Sequence, residues 1–108
     1  MRTPQVVPRP GLPERVTVYE VGPRDGLQNE RTTVPVHVKA EFIRRLVAAG
    51  LPVVEATGFV HLTWVPQLAD AAELLDRVAD LLDEQRIELP VLVPNERGLQ
   101  RALDKGLR

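Results

Sequence analysis

Apolar positions in this chain alternate between short continuous runs and longer stretches with helical spacing. The continuous runs, Val16 to Val21, Pro52 to Thr57 and Leu89 to Val93, are rich in β-branched residues, and each predicts a strand. In the first helical stretch Val38, Phe42, Ile43, Leu46 and Val47 recur on one face, and Gly50 stands where a C-terminal cap belongs. In the second, Pro66 suits a first turn, and Leu68, Ala72, Leu75, Ala79 and Leu82 form the expected buried stripe. Glu73 and Arg77 sit four apart on its outer face, a spacing that suits an ion pair. The third opens after Pro94 with Asn95 as N-cap, should bury Leu99, Ala102 and Leu103, and reaches Gly106.

The order β-α-β-α-β-α predicts the α/β class, with a parallel sheet and helices packed on it. Continuous apolar strands fit a sheet covered on both faces. Strand starts recur about every 36 residues, close to the roughly 31 per unit of a β/α barrel. The expected architecture is therefore the first three β/α units of a (β/α)8 TIM barrel, incomplete. Three units cannot close a barrel, and both outer strands would be unpaired edges. A fourth strand would be expected where the sequence stops at Leu107-Arg108. Residues 1–14, with Pro4, Pro8, Pro10 and Pro13 beside Arg2 and Arg9, read as a flexible arm ahead of a domain spanning 15–108.

Composition narrows the function classes. With 108 residues, 44 % hydrophobic and 27 % charged, the chain suits one soluble domain with its own core. A net charge of −1 and the lack of a basic block argue against nucleic acid or an acidic membrane as partner. No run approaches the roughly 18 apolar residues of a membrane span. The arm lacks the apolar core of a signal peptide and the serines of a transit peptide, so a cytoplasmic location is expected. The absence of cysteine excludes a disulfide framework, a thiolate metal site and a thiol nucleophile in these residues. The absence of serine excludes a serine nucleophile on the same terms.

Polar side chains cluster just after the strands, where loops of parallel α/β folds converge on the active face. Glu20, Arg24, Asp25 and Gln28 follow the first, Glu55 and Thr57 close the second, and Asn95 and Glu96 follow the third. Gly22, Pro23 and Gly26 let the chain turn sharply out of the first strand. Arg24 beside Asp25 on such a turn can hold an anionic oxygen and a metal ion together, which suggests polar carbonyl chemistry. Glu55 lies in an otherwise apolar strand, and a buried carboxylate is costly unless paired or bound to a cation. An ion pair with Arg24 is the structural alternative, and it would also orient that arginine. His37 reads as a surface residue, and His61 has no second histidine at ligand spacing. Trp64 either lines a pocket or anchors its loop on the rim. The glycines form neither G-x-G-x-x-G nor G-K-[ST], so nucleotide phosphate binding has little support.

These residues together resemble a known family. Glu20-Val-Gly-Pro-Arg-Asp-Gly-Leu-Gln-Asn-Glu30 is similar to the first signature of the hydroxymethylglutaryl-CoA lyases, metal-dependent β/α-barrel enzymes. Further matches are Val38-Lys39, Val54-Glu55-Ala56-Thr57, Phe59-Val60, Trp64-Val65-Pro66-Gln67, Pro90-Val91-Leu92 and Pro94-Asn95. The resemblance implies retro-Claisen cleavage of 3-hydroxy-3-methylglutaryl-CoA, an acyl-CoA thioester, to acetoacetate and acetyl-CoA. It implies Asp25 as a ligand of Mg²⁺ or Mn²⁺ and Arg24 as the group that neutralises the developing enolate oxygen. Glu55 would share the catalytic work, Glu20 and Glu55 would orient Arg24 and the metal side, and Gln28 would line the acyl pocket. A homodimer is implied for a full-length form.

The chain departs from the family at Gly58, where serine is usual, and at His61-Leu62-Thr63, where Ser-Pro-Lys is usual. The family's His-x-His pair, asparagine ligand and cysteine loop have no counterpart here, so the 108 residues alone should be inactive and poorly stable. A related synthase or aldolase of the isopropylmalate or homocitrate type is an alternative that Trp64 to Gln67 counts against. A non-catalytic remnant is another.

Overall fold

Among the described residues, strand pairing occurs where two of the apolar runs meet side by side. The computed structural model describes residues 3–84 and 86–107; Met1, Arg2 and Arg108, at the ends of the expected arm and domain, lie outside them. The strands are β1 (Tyr19–Glu20), β2 (Val53–Val54), β3 (Thr57–Gly58) and β4 (Val91–Leu92). They alternate with α1 (Val36–Ala48), α2 (Ala71–Glu84) and α3 (Glu96–Asp104). β1 pairs with β2 and β3 with β4, both in parallel, so the α/β class and the parallel pairing expected from the sequence are present.

β2 and β3 are two parts of one central segment. On one side the Glu55 N–H donates to the Glu20 carbonyl at 2.8 Å, and on the other the Ala56 N–H donates to the Pro90 carbonyl at 3.0 Å. Val53 bridges Glu88 while Thr57 pairs with Val91. Four steps along the central strand therefore face three along its neighbour, and the extra residue is a β-bulge. The bulge interrupts the strand at Glu55 and Ala56. The sequence hides it, because a continuous run of strand-forming residues carries no mark of a change of register, and Glu55 reads there as a buried carboxylate.

Helix positions agree with the sequence better than helix faces do. On α2 the buried residues are Ala71, Leu74, Leu75, Val78 and Leu81, while the expected Ala72, Ala79 and Leu82 are exposed. Leu75 belongs to both sets, but the helix is turned by about one residue, because Leu74, Val78 and Leu81 together remove more apolar area from water than Ala72, Ala79 and Leu82 would. Pro66 heads a separate 3-10 turn, Pro66–Leu68, rather than α2 itself. On α3 Ala102 is buried as expected, whereas Leu99 and Leu103 are 48 % and 43 % exposed. Gly98 decides this: its backbone lies so close to the Phe59 carbonyl that a Cβ would overlap it, and that approach turns the Gly98–Ala102 edge inward. On α1 Ile43 and Val47 are buried, but Val38 is exposed and Lys39 and Ala40 face inward instead.

The caps follow the sequence closely. Gly50 (φ +98°) and Gly106 (φ +90°) adopt the left-handed conformation just past α1 and α3. In each case the glycine N–H and that of the next leucine return to the helix, Gly50 to Val47 and Leu51 to Leu46, Gly106 to Leu103 and Leu107 to Ala102. Both are Schellman closures. Asn95 Oδ1 accepts from the Gly98 N–H at 2.8 Å as the N-cap of α3, and Glu73 pairs with Arg77 at 3.2 Å.

The core lies on the helix side of the sheet. Val54, Ala56 and Phe59 join Ile43, Val47, Leu74, Leu75, Val78 and Leu81 in one buried cluster. The opposite face, which carries Tyr19 and Val53, is only partly covered, contrary to the expected burial on both sides. Val16 and Val18 are exposed and belong to no strand, so the first strand is shorter than its apolar run.

Candidate active site

The chain leaves β1 through a wide turn of π type, Gly22–Gly26, wound around one oxygen. The Val21 carbonyl accepts from Arg24 N at 3.2 Å, Asp25 N at 2.8 Å and Gly26 N at 3.3 Å. Glu20 braces the same turn, because its Oε1 accepts the Gly22 N–H at 2.9 Å. A side chain at Gly22 would meet that oxygen at 2.9 Å and the Phe42 ring at 3.1 Å, so the turn tolerates little else there. Pro23 is buried beneath it. Arg24 and Asp25 are thus displayed at the C-terminal end of β1 by a backbone with little freedom.

Glu55 meets this turn from the adjacent strand. The Arg24 Nε–H donates to Glu55 Oε1, and the Tyr19 hydroxyl donates to Glu55 Oε2 at 2.8 Å. Both carboxylate oxygens are engaged, which offsets the cost of burying the charge. The Arg24–Glu55 pair that the sequence left open is therefore present. Outer guanidinium contacts are looser: Nη1 lies 3.4 Å from Asp25 Oδ1 and 3.4 Å from Gln28 Oε1. The Asp25 carboxylate is largely exposed and has no closer partner among the described residues. Asn29 holds the peptide behind it, its Nδ2 donating to the Asp25 carbonyl at 2.9 Å.

Arg24, Asp25, Gln28 and Glu55 are therefore brought together, whereas Glu20 is directed to the turn backbone. Tyr19 joins the group unanticipated, since on sequence it reads as one more residue of a strand. Partial burial raises its phenol above the ordinary value; the hydrogen bond and negative charge of Glu55 add to this, and Arg24 acts against it. Thr57, two residues past Glu55, is fully buried, and its Oγ1 has no hydrogen-bond partner among the described residues.

Two further networks fix the loops around the site. The buried Lys39 ammonium donates to the Gln67 carbonyl and to Asp70 Oδ1 at 2.8 Å, and Gln67 Nε2 donates to the Glu30 carbonyl at 2.9 Å. The loop after β1 is thereby tied to the segment leading into α2. In the loop after β3 the His61 ring stacks on Trp64 with centroids 4.5 Å apart, and His61 Nδ1 accepts from the Thr63 and Trp64 N–H groups. Trp64 is 82 % exposed, so it neither lines a cavity nor anchors its loop; it covers the imidazole. His37 is exposed, as the sequence suggested. A cavity of about 220 Å³ lies between this loop and α3, bounded by His61, Asn95, Arg97 and Arg101, and none of Arg24, Asp25 or Glu55 lines it.

Among the described residues no group of three or more His, Cys, Asp or Glu side chains is arranged to hold a metal ion. Asp25 can supply one hard oxygen ligand; a divalent cation of this kind takes about six. No helix of the described residues is long and apolar enough to cross a membrane.

Known proteins resemble this chain over most of its length. The family model for HMGL-like proteins matches residues 15–108. The chain is 57 % identical over 98 residues to the mitochondrial hydroxymethylglutaryl-CoA lyase of Arabidopsis thaliana, covering 91 % of this chain and 20 % of that protein. It is 51 % identical over 96 residues to a cytoplasmic 3-hydroxy-3-methylglutaryl-CoA lyase of Rattus norvegicus, covering 89 % of this chain and 27 % of that one. Among solved structures, the hydroxymethylglutaryl-CoA lyase of Pseudomonas aeruginosa superposes with a TM-score of 0.79 at 41 % identity, covering 89 % of this chain and 31 % of its own. A lyase of Acinetobacter baumannii, solved with coenzyme A and 3-methylmalate, gives 0.73 at 36 % identity, covering 83 % and 28 %. The chain thus spans between a fifth and a third of the length of these relatives.

Proposed function

The chain belongs to the HMGL-like family, and from that membership we propose that it forms the first three β/α units, residues 15–108, of a hydroxymethylglutaryl-CoA lyase barrel. The reaction is cleavage of 3-hydroxy-3-methylglutaryl-CoA to acetoacetate and acetyl-CoA, performed by the whole barrel. The observation that carries this reading is the convergence of Arg24 and Glu55 from adjacent parallel strand ends, with the exposed Asp25 carboxylate beside them, 3.4 Å from the Arg24 guanidinium.

Each residue has a part. Glu55 grips Arg24 through Nε, leaving the outer guanidinium nitrogens, which have only long contacts, for an oxygen that gains charge. As the carbon–carbon bond breaks, electron density collects on the acyl oxygen, and a fixed guanidinium there stabilises it without reorganising. Gln28, beside Arg24, borders the space for the acyl group, and Glu20 keeps the turn in shape. Asp25 would be one ligand of Mg²⁺ or Mn²⁺, a cation that when bound supplies Lewis-acid polarisation of substrate oxygens. One carboxylate is too few for a competent site, so these 108 residues alone are inactive in this reading. A homodimeric, cytoplasmic full-length protein completes the reading; its relatives bear both mitochondrial and cytoplasmic names.

A chimera tests this directly. Residues 15–108 replace the corresponding segment of the Pseudomonas aeruginosa lyase, and acetyl-CoA release from hydroxymethylglutaryl-CoA is measured with Mg²⁺ or Mn²⁺ and no second acyl donor. Activity is expected. A folded, metal-loaded chimera without it would overturn the assignment.

A further inference from the structure

Tyr19 lies opposite Val53 in the β1–β2 register, and Glu55 is two residues further along the same face. The hydroxyl therefore reaches the carboxylate across one strand spacing, at 2.8 Å from Oε2. The other oxygen, Oε1, accepts from Arg24 Nε. A carboxylate held at one oxygen can swing about its own bonds; held at both, it has one orientation. We propose that Tyr19 is a positioning residue, which fixes Glu55 through Oε2 so that Oε1 holds the Arg24 guanidinium at the angle the site requires. The role rests on the lyase reading, because it acts on a residue which that reading makes catalytic.

The surroundings support this division of work. Glu20 is occupied by the Gly22 N–H and Asp25 meets Arg24 only at 3.4 Å, so neither carboxylate can take over the grip of Glu55. Phenylalanine would preserve the ring at position 19 and lose the donor. Glu55 Oε2 would then lack its protein partner while the fold around it stayed the same.

Two measurements on the 108-residue chain test the proposal. Tyr19 is the only tyrosine, so ultraviolet absorbance reads its ionisation directly. Its midpoint should lie above the ordinary phenol value of about 10, and E55Q, which removes the charge, should lower it. A midpoint that E55Q does not move would overturn the contact. The second measurement follows hydrogen exchange of the Arg24 Nε–H by nitrogen-15 NMR. Y19F should speed that exchange by roughly tenfold, the scale of one hydrogen bond to a charged group, while the amide spectrum stays that of the folded chain. Unchanged exchange in Y19F would overturn the positioning role even if the phenol touches Glu55. If Y19F does not fold, the E55Q titration still decides whether the contact exists. Neither readout involves turnover, so failure here leaves the lyase reading standing, and an inactive chimera leaves the Tyr19–Glu55 contact standing.

Discussion

The two faces of the sheet serve different ends. Toward the helices, Val54, Ala56 and Phe59 are packed on α1 and α2 residues with almost no exposure. Toward the other side, Tyr19 and Val53 are partly open, and the buried polar group there, Glu55, is held by donors from two directions. One face is held by apolar burial and the other by a hydrogen-bonded polar group. The contrast teaches where to expect separable effects: substitutions on the helix side should cost stability, and those on the open side should cost function.

The sharpest test replaces Arg24 by lysine in the chimera, which keeps a cation beside the buried Glu55 carboxylate but loses the planar guanidinium fork. kcat should fall by roughly a hundredfold, the scale of losing one oxyanion-stabilising group, while the urea midpoint hardly moves. Ile43→Ala should do the reverse, lowering stability by about 2–4 kcal/mol in urea unfolding with kcat little altered at temperatures where the protein stays folded. If both variants lose stability equally, the division between faces is wrong. Gly98→Ala tests the turn of α3: it should cost about 1–3 kcal/mol through overpacking on the Phe59 carbonyl and speed amide exchange in α3 more than in α1. An unchanged exchange pattern would remove Gly98 as the cause of that helix's orientation.

The smallest effect concerns pH at the outer surface of the helix layer. Arg44 spans α1 and α2, donating to Asp80 at 2.6 and 2.8 Å and to the Arg77 carbonyl at 2.7 Å. That hydrogen bond holds the Asp80 carboxyl below the usual value. A carboxyl lowered in the folded state stabilises fully above its unfolded pKa of about 4 and loses that contribution as pH falls through the folded value. Unfolding midpoints taken from about pH 6 down to about pH 2 should therefore decline less in D80N than in the unsubstituted chain. Since both side chains are partly exposed, the difference should be small and shrink with salt.

Local signals were legible in the sequence and long-range ones were not. Asn95, Gly50 and Gly106 could be assigned because a cap is settled by a few neighbouring residues. The Arg24-Asp25 turn and the buried Glu55 could be picked out because charge after an apolar run is conspicuous. Which face α2 and α3 bury depends on partners distant in the chain, so the burial expected for Ala72, Ala79, Leu82, Leu99 and Leu103 is not found. Tyr19 carries no local signal for a related reason. Its significance comes from the register that sets it near Glu55, and register leaves no mark in a run where every residue suits a strand.

The Val21 carbonyl has a mechanical consequence. Since the N–H groups of Arg24, Asp25 and Gly26 all end on that one oxygen, any tilt of its peptide plane carries the three residues together, like spokes on a hub. A ligand that pulls on Asp25 would then be felt at Arg24 as a rotation through the backbone, beside their 3.4 Å side-chain contact.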